Sequence, residues 1–208
     1  MKHLFLIVAM AFFTIPSLAQ ISFGLESGVI SSLKTNQEFK NENRRNAVSL
    51  GINLSYQLNQ SFSLTSGLHY LQQGYQNETC YQFSEGIKNE LRRKTDYIMV
   101  PLLANIHLGK KKRFTTSFGI YGAYNLKATQ EHPTPFGGCA IYYEPDLKHI
   151  TYDFHAGAIA GLSYTILNID NFKVDSNFKY YTSLGGIDDY GNNQSFLMTI
   201  SVNYLLGL

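Results

Sequence analysis

Residues 47–58, AVSLGINLSYQL, decide the fold class of this chain. Apolar residues occupy every second position of the stretch, and small or polar residues fill the positions between them. The apolar set is Val48, Leu50, Ile52, Leu54, Tyr56 and Leu58. A helix would scatter these side chains around its circumference, whereas a strand places them all on one face. The stretch is therefore predicted to be a β-strand.

Seven further segments repeat this alternation with more noise, and a composition rich in Gly, Tyr and Phe suits strands joined by turns. They are residues 21–30, 61–73, 97–108, 114–126, 152–166, 172–184 and 194–208. Most are near or above the roughly 9 to 11 residues that a tilted strand needs to cross hydrocarbon. Strands of soluble domains more often have about five or six residues. Their length therefore favours a membrane.

The connections between these segments alternate between long and short. The long ones are residues 31–46, 74–96, 127–151 and 185–193, and the short ones are residues 59–60, 109–112 and 167–171. Membrane barrels have this rhythm, with tight periplasmic turns and larger external loops. The sequence therefore predicts an all-β protein, an eight-stranded antiparallel up-and-down transmembrane β-barrel with both termini in the periplasm.

Charged residues are rare within the segments and avoid the apolar register. Five fall within segments, all in the polar register: Glu26, Asp153, Lys173, Asp175 and Lys179. Arg or Lys on a lipid face costs roughly 2 to 4 kcal/mol near the bilayer midplane, so the apolar register is predicted to face lipid. The five charges then form a polar network in the lumen. A soluble periplasmic barrel that binds lipid inside is the alternative, but its outer face would normally carry many Lys and Glu residues.

The first residues have the pattern of a secretory signal. Lys2 precedes the apolar run of residues 4–15, and small residues stand at Ser17 and Ala19. We expect residues 1–19 to be removed before Gln20, leaving residues 20–208 as one barrel domain in the outer membrane.

Several short strand patterns resemble the outer-membrane β-barrel domain family of the Bacteroidetes, the PorT-like family. They are residues 21–28 (ISFGLESG), 97–104 (YIMVPLLA), 157–164 and 178–184 (FKYYTSL). The resemblance implies the barrel and its location in the outer membrane. It carries no active-site motif, and the secretion role of the family's namesake need not apply to every member.

No set of residues indicates an enzyme, a metal site or a cofactor site. His69, His107 and His155 share the polar register without a metal-ligand spacing. Asp153 and His155 could orient one another, but no specific serine completes a nucleophilic site. We therefore predict a noncatalytic barrel with no cofactor and with a surface-interaction, envelope or secretion role. An outer-membrane lipid-modifying enzyme is the alternative.

The expected partners follow from location and charge. The net charge of +2 is too small to indicate nucleic acid binding. A membrane barrel contacts outer-membrane lipid, and we expect the protein to be a monomer. The long loops place arginine and lysine among glutamates, including Arg44, Arg45 and Lys94. These residues suit lipopolysaccharide phosphates or a protein partner, and a solvated charged surface explains them equally well. Eight strands enclose an interior that side chains fill, so no open pore is expected.

Cys80 and Cys139 are the only cysteines, and the predicted topology places both on external loops. An exported protein meets oxidising conditions, so we predict a disulfide between them. The intact protein should gain the mass of two protons on reduction. Alkylation of both thiols without a reductant would contradict the bridge.

Overall fold

The computed structural model describes residues 20–35, 42–80, 88–131, 153–184 and 192–206, which form eight strands. The strands are β1 (Ile21–Thr35), β2 (Glu42–Gln57), β3 (Phe62–Cys80), β4 (Lys88–Leu108), β5 (Phe114–Glu131), β6 (Phe154–Ile169), β7 (Phe172–Ser183) and β8 (Asn192–Leu206). Each strand pairs with the next in an antiparallel ladder, and β1 also pairs with β8, which closes a barrel. The predicted fold class is confirmed.

The apolar register faces outward around the barrel. On β2 the side chains of Val48, Leu50, Ile52 and Leu54 are each between 44% and 57% exposed, although all four are strongly apolar. This outer band is the surface that a bilayer covers, since apolar side chains on a membrane barrel contact lipid. Among the described residues, no helix has the length and hydropathy to cross a membrane.

Three short turns lie at one end of the barrel, where residues 20 and 206 also lie. They comprise residues 58–61, 109–113 and 170–171, between consecutive strands. Gly109, Lys112 and Asp170 adopt left-handed backbone conformations there, with φ of 77°, 49° and 47°. In membrane barrels the short turns face the periplasm. This end is therefore the periplasmic end, and the opposite end is the outer rim.

The strands extend further toward the outer rim than the sequence pattern predicted. Residues 74–96 were predicted to form a loop, yet β3 and β4 stay paired as far as Cys80 opposite Lys88. The prediction was wrong there because alternation is required only where one face meets lipid, and strands above the bilayer are free of that constraint. Cys80 therefore ends a strand. Cys139 and residues 1–19 lie outside the described residues, so the disulfide and the signal stay predictions.

The outer rim of the barrel is uneven. From Tyr70, beside the outward-facing Ile98, β3 continues through Cys80, a distance of roughly 30 Å along the strand. Two seams further around the barrel, the β5–β6 pairing ends at Tyr124 and Phe154. The described wall is thus tall at β3 and β4 and low at β6.

Inside the barrel, glycine makes room for the larger side chain of a neighbouring strand. His69 of β3 is fully buried and lies against Gly51 of β2. A Cβ atom at position 51 would lie 2.5 to 2.8 Å from three atoms of the imidazole ring, too close for any real contact. Gly51 therefore fixes where His69 packs.

We expect the substitution Gly51→Val to destabilise the barrel by about 1 to 3 kcal/mol, the usual cost of overpacking a filled interior. Leu50→Val is the matched control. It introduces the same residue at the preceding position, whose side chain faces lipid instead of the lumen. Urea unfolding in lipid vesicles, followed by heat-modifiable gel mobility, measures both variants. Equal stability of the two would show that the Gly51–His69 contact is unimportant.

Candidate functional site

The outer half of the lumen is filled by apolar side chains. Its cluster of buried residues is Ile30, Leu71, Tyr97, Met99, Leu103, Tyr121, Ala123, Ile159, Tyr181 and Leu197. All lie in the register that was predicted to be polar. The sequence pattern did not reveal them, because most other residues of that register are small or polar and the whole register was predicted to be one polar face.

Aromatic rings pack against one another at this level of the lumen. The ring of His155 lies edge-on to Tyr97 and Tyr121, with centroids 4.8 and 5.7 Å apart. Tyr121 in turn lies 5.8 Å from Tyr181, also edge-on. These contacts join four strands across the interior, and edge-to-face packing of this kind stabilises buried rings. We call the apolar cluster together with His155 the aromatic plug.

A buried ion pair lies below the aromatic plug. The ammonium of Lys179 on β7 donates to both carboxylate oxygens of Glu26 on β1, at 2.7 and 2.8 Å. Asn53 and Thr199 also donate to this carboxylate, each at 2.8 Å. The Glu26 carboxylate thus accepts four hydrogen bonds from three side chains, which offsets the desolvation that a buried carboxylate would otherwise suffer.

The same hydrogen-bonded chain continues to a histidine. The Oδ1 atom of Asn53 lies 2.8 Å from Nε2 of His69, while its Nδ2 atom donates to Glu26. The chain therefore links β7, β1, β2 and β3 through Lys179, Glu26, Asn53 and His69. A network that spans several strands fixes their relative positions as well as neutralising charge.

The periplasmic half of the lumen is polar and partly open. Asp175 accepts hydrogen bonds from Thr165 at 2.7 Å and Asn203 at 2.9 Å, and its carboxylate lies 3.2 Å from Lys173. A cavity of about 130 Å³ lies between these groups and the Glu26–Lys179 pair. This volume holds several water molecules at most.

The five charged residues of the predicted lumen network thus separate into three locations. Glu26 and Lys179 form the buried pair, whereas Lys173 and Asp175 form a second pair nearer the periplasm. Asp153 is exposed and lies one residue before β6, outside the strand in which the sequence pattern placed it. The structure therefore does not bring Asp153 into the network.

The three strand histidines also lie apart. His69 is bound to Asn53, and His155 belongs to the aromatic plug. His107 lies between Ser63 and Thr115, with a ring nitrogen 3.0 Å from each hydroxyl. Within the described parts of the chain, no group of three or more His, Cys, Asp or Glu residues has a metal-binding arrangement.

Two consecutive arginines lie where the outer face changes from apolar to polar. The guanidinium of Arg44 lies 4.7 Å from the ring centroid of Phe196. Arg45 donates to Oε1 of Gln72 at 3.3 Å, and Gln72 donates to Asp96 at 2.9 Å. An irregularity in the β2–β3 register begins at Arg44, so the usual inward and outward alternation is disturbed there. We call Arg44 and Arg45 the arginine pair.

The family profile described as outer membrane protein beta-barrel domain matches residues 9–189. The chain belongs to this family. The match spans most of the 208 residues and agrees with the closed barrel and its apolar outer band. The protein is therefore an outer-membrane β-barrel, and the soluble-barrel alternative is set aside.

Solved structures of outer-membrane barrels are similar to this one at low sequence identity. Ail of Yersinia pestis, solved with the heparin analogue sucrose octasulfate, is 10% identical with a TM-score of 0.48, covering 89% of this chain and 99% of that chain. Neisserial surface protein A is 12% identical with a TM-score of 0.47, covering 88% and 96%. OprG of Pseudomonas aeruginosa is 10% identical with a TM-score of 0.47, covering 90% and 96%. The comparison with curated proteins gave no match.

The buried ion pair stabilises the barrel only while both of its charges are present. Lys179→Met should destabilise the barrel by about 3 to 5 kcal/mol, because it leaves the Glu26 carboxylate buried without its cation. The double variant Glu26→Gln, Lys179→Met should recover most of this loss. Unfolding in urea from lipid vesicles measures the difference.

Lys173→Met is the matched control for this prediction. The Lys173 side chain is 26% exposed and that of Lys179 is 8% exposed, so water screens the first pair much more. Its loss should cost about 1 kcal/mol or less. If the double variant were as unstable as Lys179→Met, the charge left on Glu26 would not be the cause.

Proposed function

We propose that this protein is a noncatalytic, monomeric outer-membrane barrel whose outer rim binds lipopolysaccharide phosphates and so contributes to envelope integrity. The observation that carries the proposal is the arginine pair at the upper edge of the apolar band. Lipopolysaccharide forms the outer leaflet of typical outer membranes, and its phosphates lie at the boundary between acyl chains and sugars.

The geometry of the arginine pair suits phosphate. Stacking on Phe196 holds the face of the Arg44 guanidinium and leaves its edge N–H groups available for an oxyanion. Arg45 is oriented by Gln72, which Asp96 orients in turn. A guanidinium that is held in place loses less entropy when it binds, and its planar fork matches phosphate oxygens. Lys127, across from Asp96 on β5, adds an exposed cation to the same rim.

The interior supports a noncatalytic role. His155, which the sequence suggested as a base beside Asp153, is buried in the aromatic plug against two tyrosine rings. A base that acts on a lipid must reach the membrane surface, and these rings cover the imidazole on the lumen side. The buried charges Glu26 and Lys179 neutralise one another, which favours a structural role for them.

A narrower version of the proposal follows from the PorT-like sequence patterns. It makes the protein a Bacteroidetes barrel that takes part in protein secretion or envelope assembly through its external surface. Residues outside the described ranges, including Cys139, would then contact the partner. This version is tested by cross-linking membranes and purifying the protein, and copurification of secretion components is the outcome that would support it.

Neutralising the arginine pair tests the main proposal. Each basic residue near an anionic membrane surface contributes about 1 kcal/mol, so Arg44→Gln, Arg45→Gln should weaken lipopolysaccharide binding by about 30-fold. The binding is measured with refolded protein in detergent, titrated with fluorescent lipopolysaccharide. Phe196→Leu keeps both charges and removes the stacking, so its effect should be smaller.

Lys110→Gln, Lys111→Gln is the charge-matched comparison at the periplasmic end, and it should weaken lipopolysaccharide binding less than the arginine variant does. Heat-modifiable mobility verifies that each variant is folded. Equal weakening by the two double variants, or equal affinity for dephosphorylated lipopolysaccharide, would overturn the proposal.

A further inference from the structure

The periplasmic end of the barrel carries a cluster of cations that the proposed function does not use. The turn between β4 and β5 contains four consecutive basic residues, Lys110, Lys111, Lys112 and Arg113. The only other charged residue in the short turns is Asp170. We call these four residues the basic turn.

The basic turn has a defined shape. The Lys112 amide donates to the carbonyl of Gly109 at 3.1 Å, and both residues have positive φ. The left-handed region is unfavourable for lysine, so the surrounding hydrogen bonds must hold it there. The ammonium of Lys112 also donates to Oε1 of Gln60 at 3.2 Å, which ties this turn to the one between β2 and β3.

Next to the basic turn lies a cavity of about 700 Å³. Its lining includes Lys111, Lys112, Arg113 and Lys173, with the imidazole of His107 and several side-chain amides, and no carboxylate. Of these cations, Lys173 pairs with Asp175, which lines the deeper cavity, and Asp170 of the neighbouring turn does not line this one. The cavity therefore has an excess of positive charge that an anion would neutralise.

The position of the cavity indicates where such an anion comes from. Ile166, which also lines it, belongs to the outward register of β6 and is 54% exposed. Arg113 directly precedes Phe114, whose ring contacts that of Tyr164 in a tilted arrangement on the outward-facing band, with centroids 4.9 Å apart. Aromatic residues of this kind mark the level of lipid headgroups. The cavity is thus reached from the inner leaflet as well as from the periplasm.

We propose that the basic turn and this cavity bind the phosphate of an anionic phospholipid headgroup, such as phosphatidylglycerol, in the inner leaflet of the outer membrane. Lys111, Lys112 and Arg113 contact the phosphate, and the neighbouring amides of Gln57 and Asn59 hydrogen-bond the hydroxyls of the glycerol headgroup. The acyl chains lie outside, over Ile166 and the aromatic pair.

The test measures lipid preference with the full chain folded in mixed micelles. Native mass spectrometry compares the retention of phosphatidylglycerol with that of phosphatidylethanolamine at equal concentrations. We expect the wild type to retain phosphatidylglycerol preferentially. The variant Lys111→Gln, Lys112→Gln, Arg113→Gln should reduce that preference by at least about tenfold, since three cations near the phosphate are lost.

The charge-matched comparison is Arg44→Gln, Arg45→Gln, Lys127→Gln, which removes three cations from the outer rim and should lower the preference less than the periplasmic variant does. Lys111→Gln, Arg113→Gln keeps the left-handed Lys112 in place, and it replaces the triple variant if that one fails to fold. Its expected effect is a smaller loss of preference in the same direction.

Three outcomes would overturn the proposal. One is a wild-type protein without a preference for phosphatidylglycerol, and another is an equal loss of preference in the periplasmic and outer-rim variants. The third is complete displacement of the lipid by millimolar inorganic phosphate, which would identify free phosphate as the ligand. Retention of the lipid in that buffer, with the larger loss in the periplasmic variants, supports the headgroup assignment.

Discussion

The pairing of β1 with β8 is the interaction on which the rest of the structure depends. It runs from Ile21 opposite Leu206 to Thr35 opposite Asn192. In hydrocarbon, an unpaired backbone N–H or C=O group costs several kcal/mol, so a sheet can cross a membrane only when it has no free edge. Closure with eight strands then leaves a lumen so narrow that inward side chains must fill it.

That narrow lumen explains why two kinds of interior coexist. Near the periplasm, paired charges and hydroxyl groups satisfy one another around small cavities. Nearer the outer rim, tyrosine and aliphatic side chains pack without charge. Glu26 and Lys179 lie between the two regions. Their ion pair is hydrogen-bonded there by Asn53 and Thr199. Inward side chains of the described strands thus occupy much of the lumen at both levels.

The sequence was informative wherever lipid imposes a rule. Leu50 and Ile52 must face outward, and their spacing predicts strand, register and orientation together. The lumen imposes no such rule. Tyr97 and Tyr181 are buried there by contacts with other strands, and the residues next to them in sequence do not indicate those contacts. The same holds for the arginine pair, whose significance depends on Phe196, a residue distant in sequence and adjacent only after closure.

Strand ends were predicted poorly for a related reason. Beyond the bilayer both faces of a strand meet water. β3 and β4 therefore continue through polar residues, whose lack of alternation predicted a loop. Asp153 was assigned to a strand although it precedes one, since a single polar residue beside Phe154 carries no information about where pairing begins.

Because the outer rim is uneven, different sides of the barrel extend to different heights above the bilayer. A barrel with level walls presents the same profile to every neighbour, and it can rotate about its axis without changing what it touches. The tall β3–β4 wall breaks that equivalence, since on that side neighbouring sugars and proteins meet a rigid paired sheet above the bilayer. The described part of β6 begins lower on the wall, at Phe154. Neighbours in a crowded membrane therefore distinguish one direction around the barrel from another.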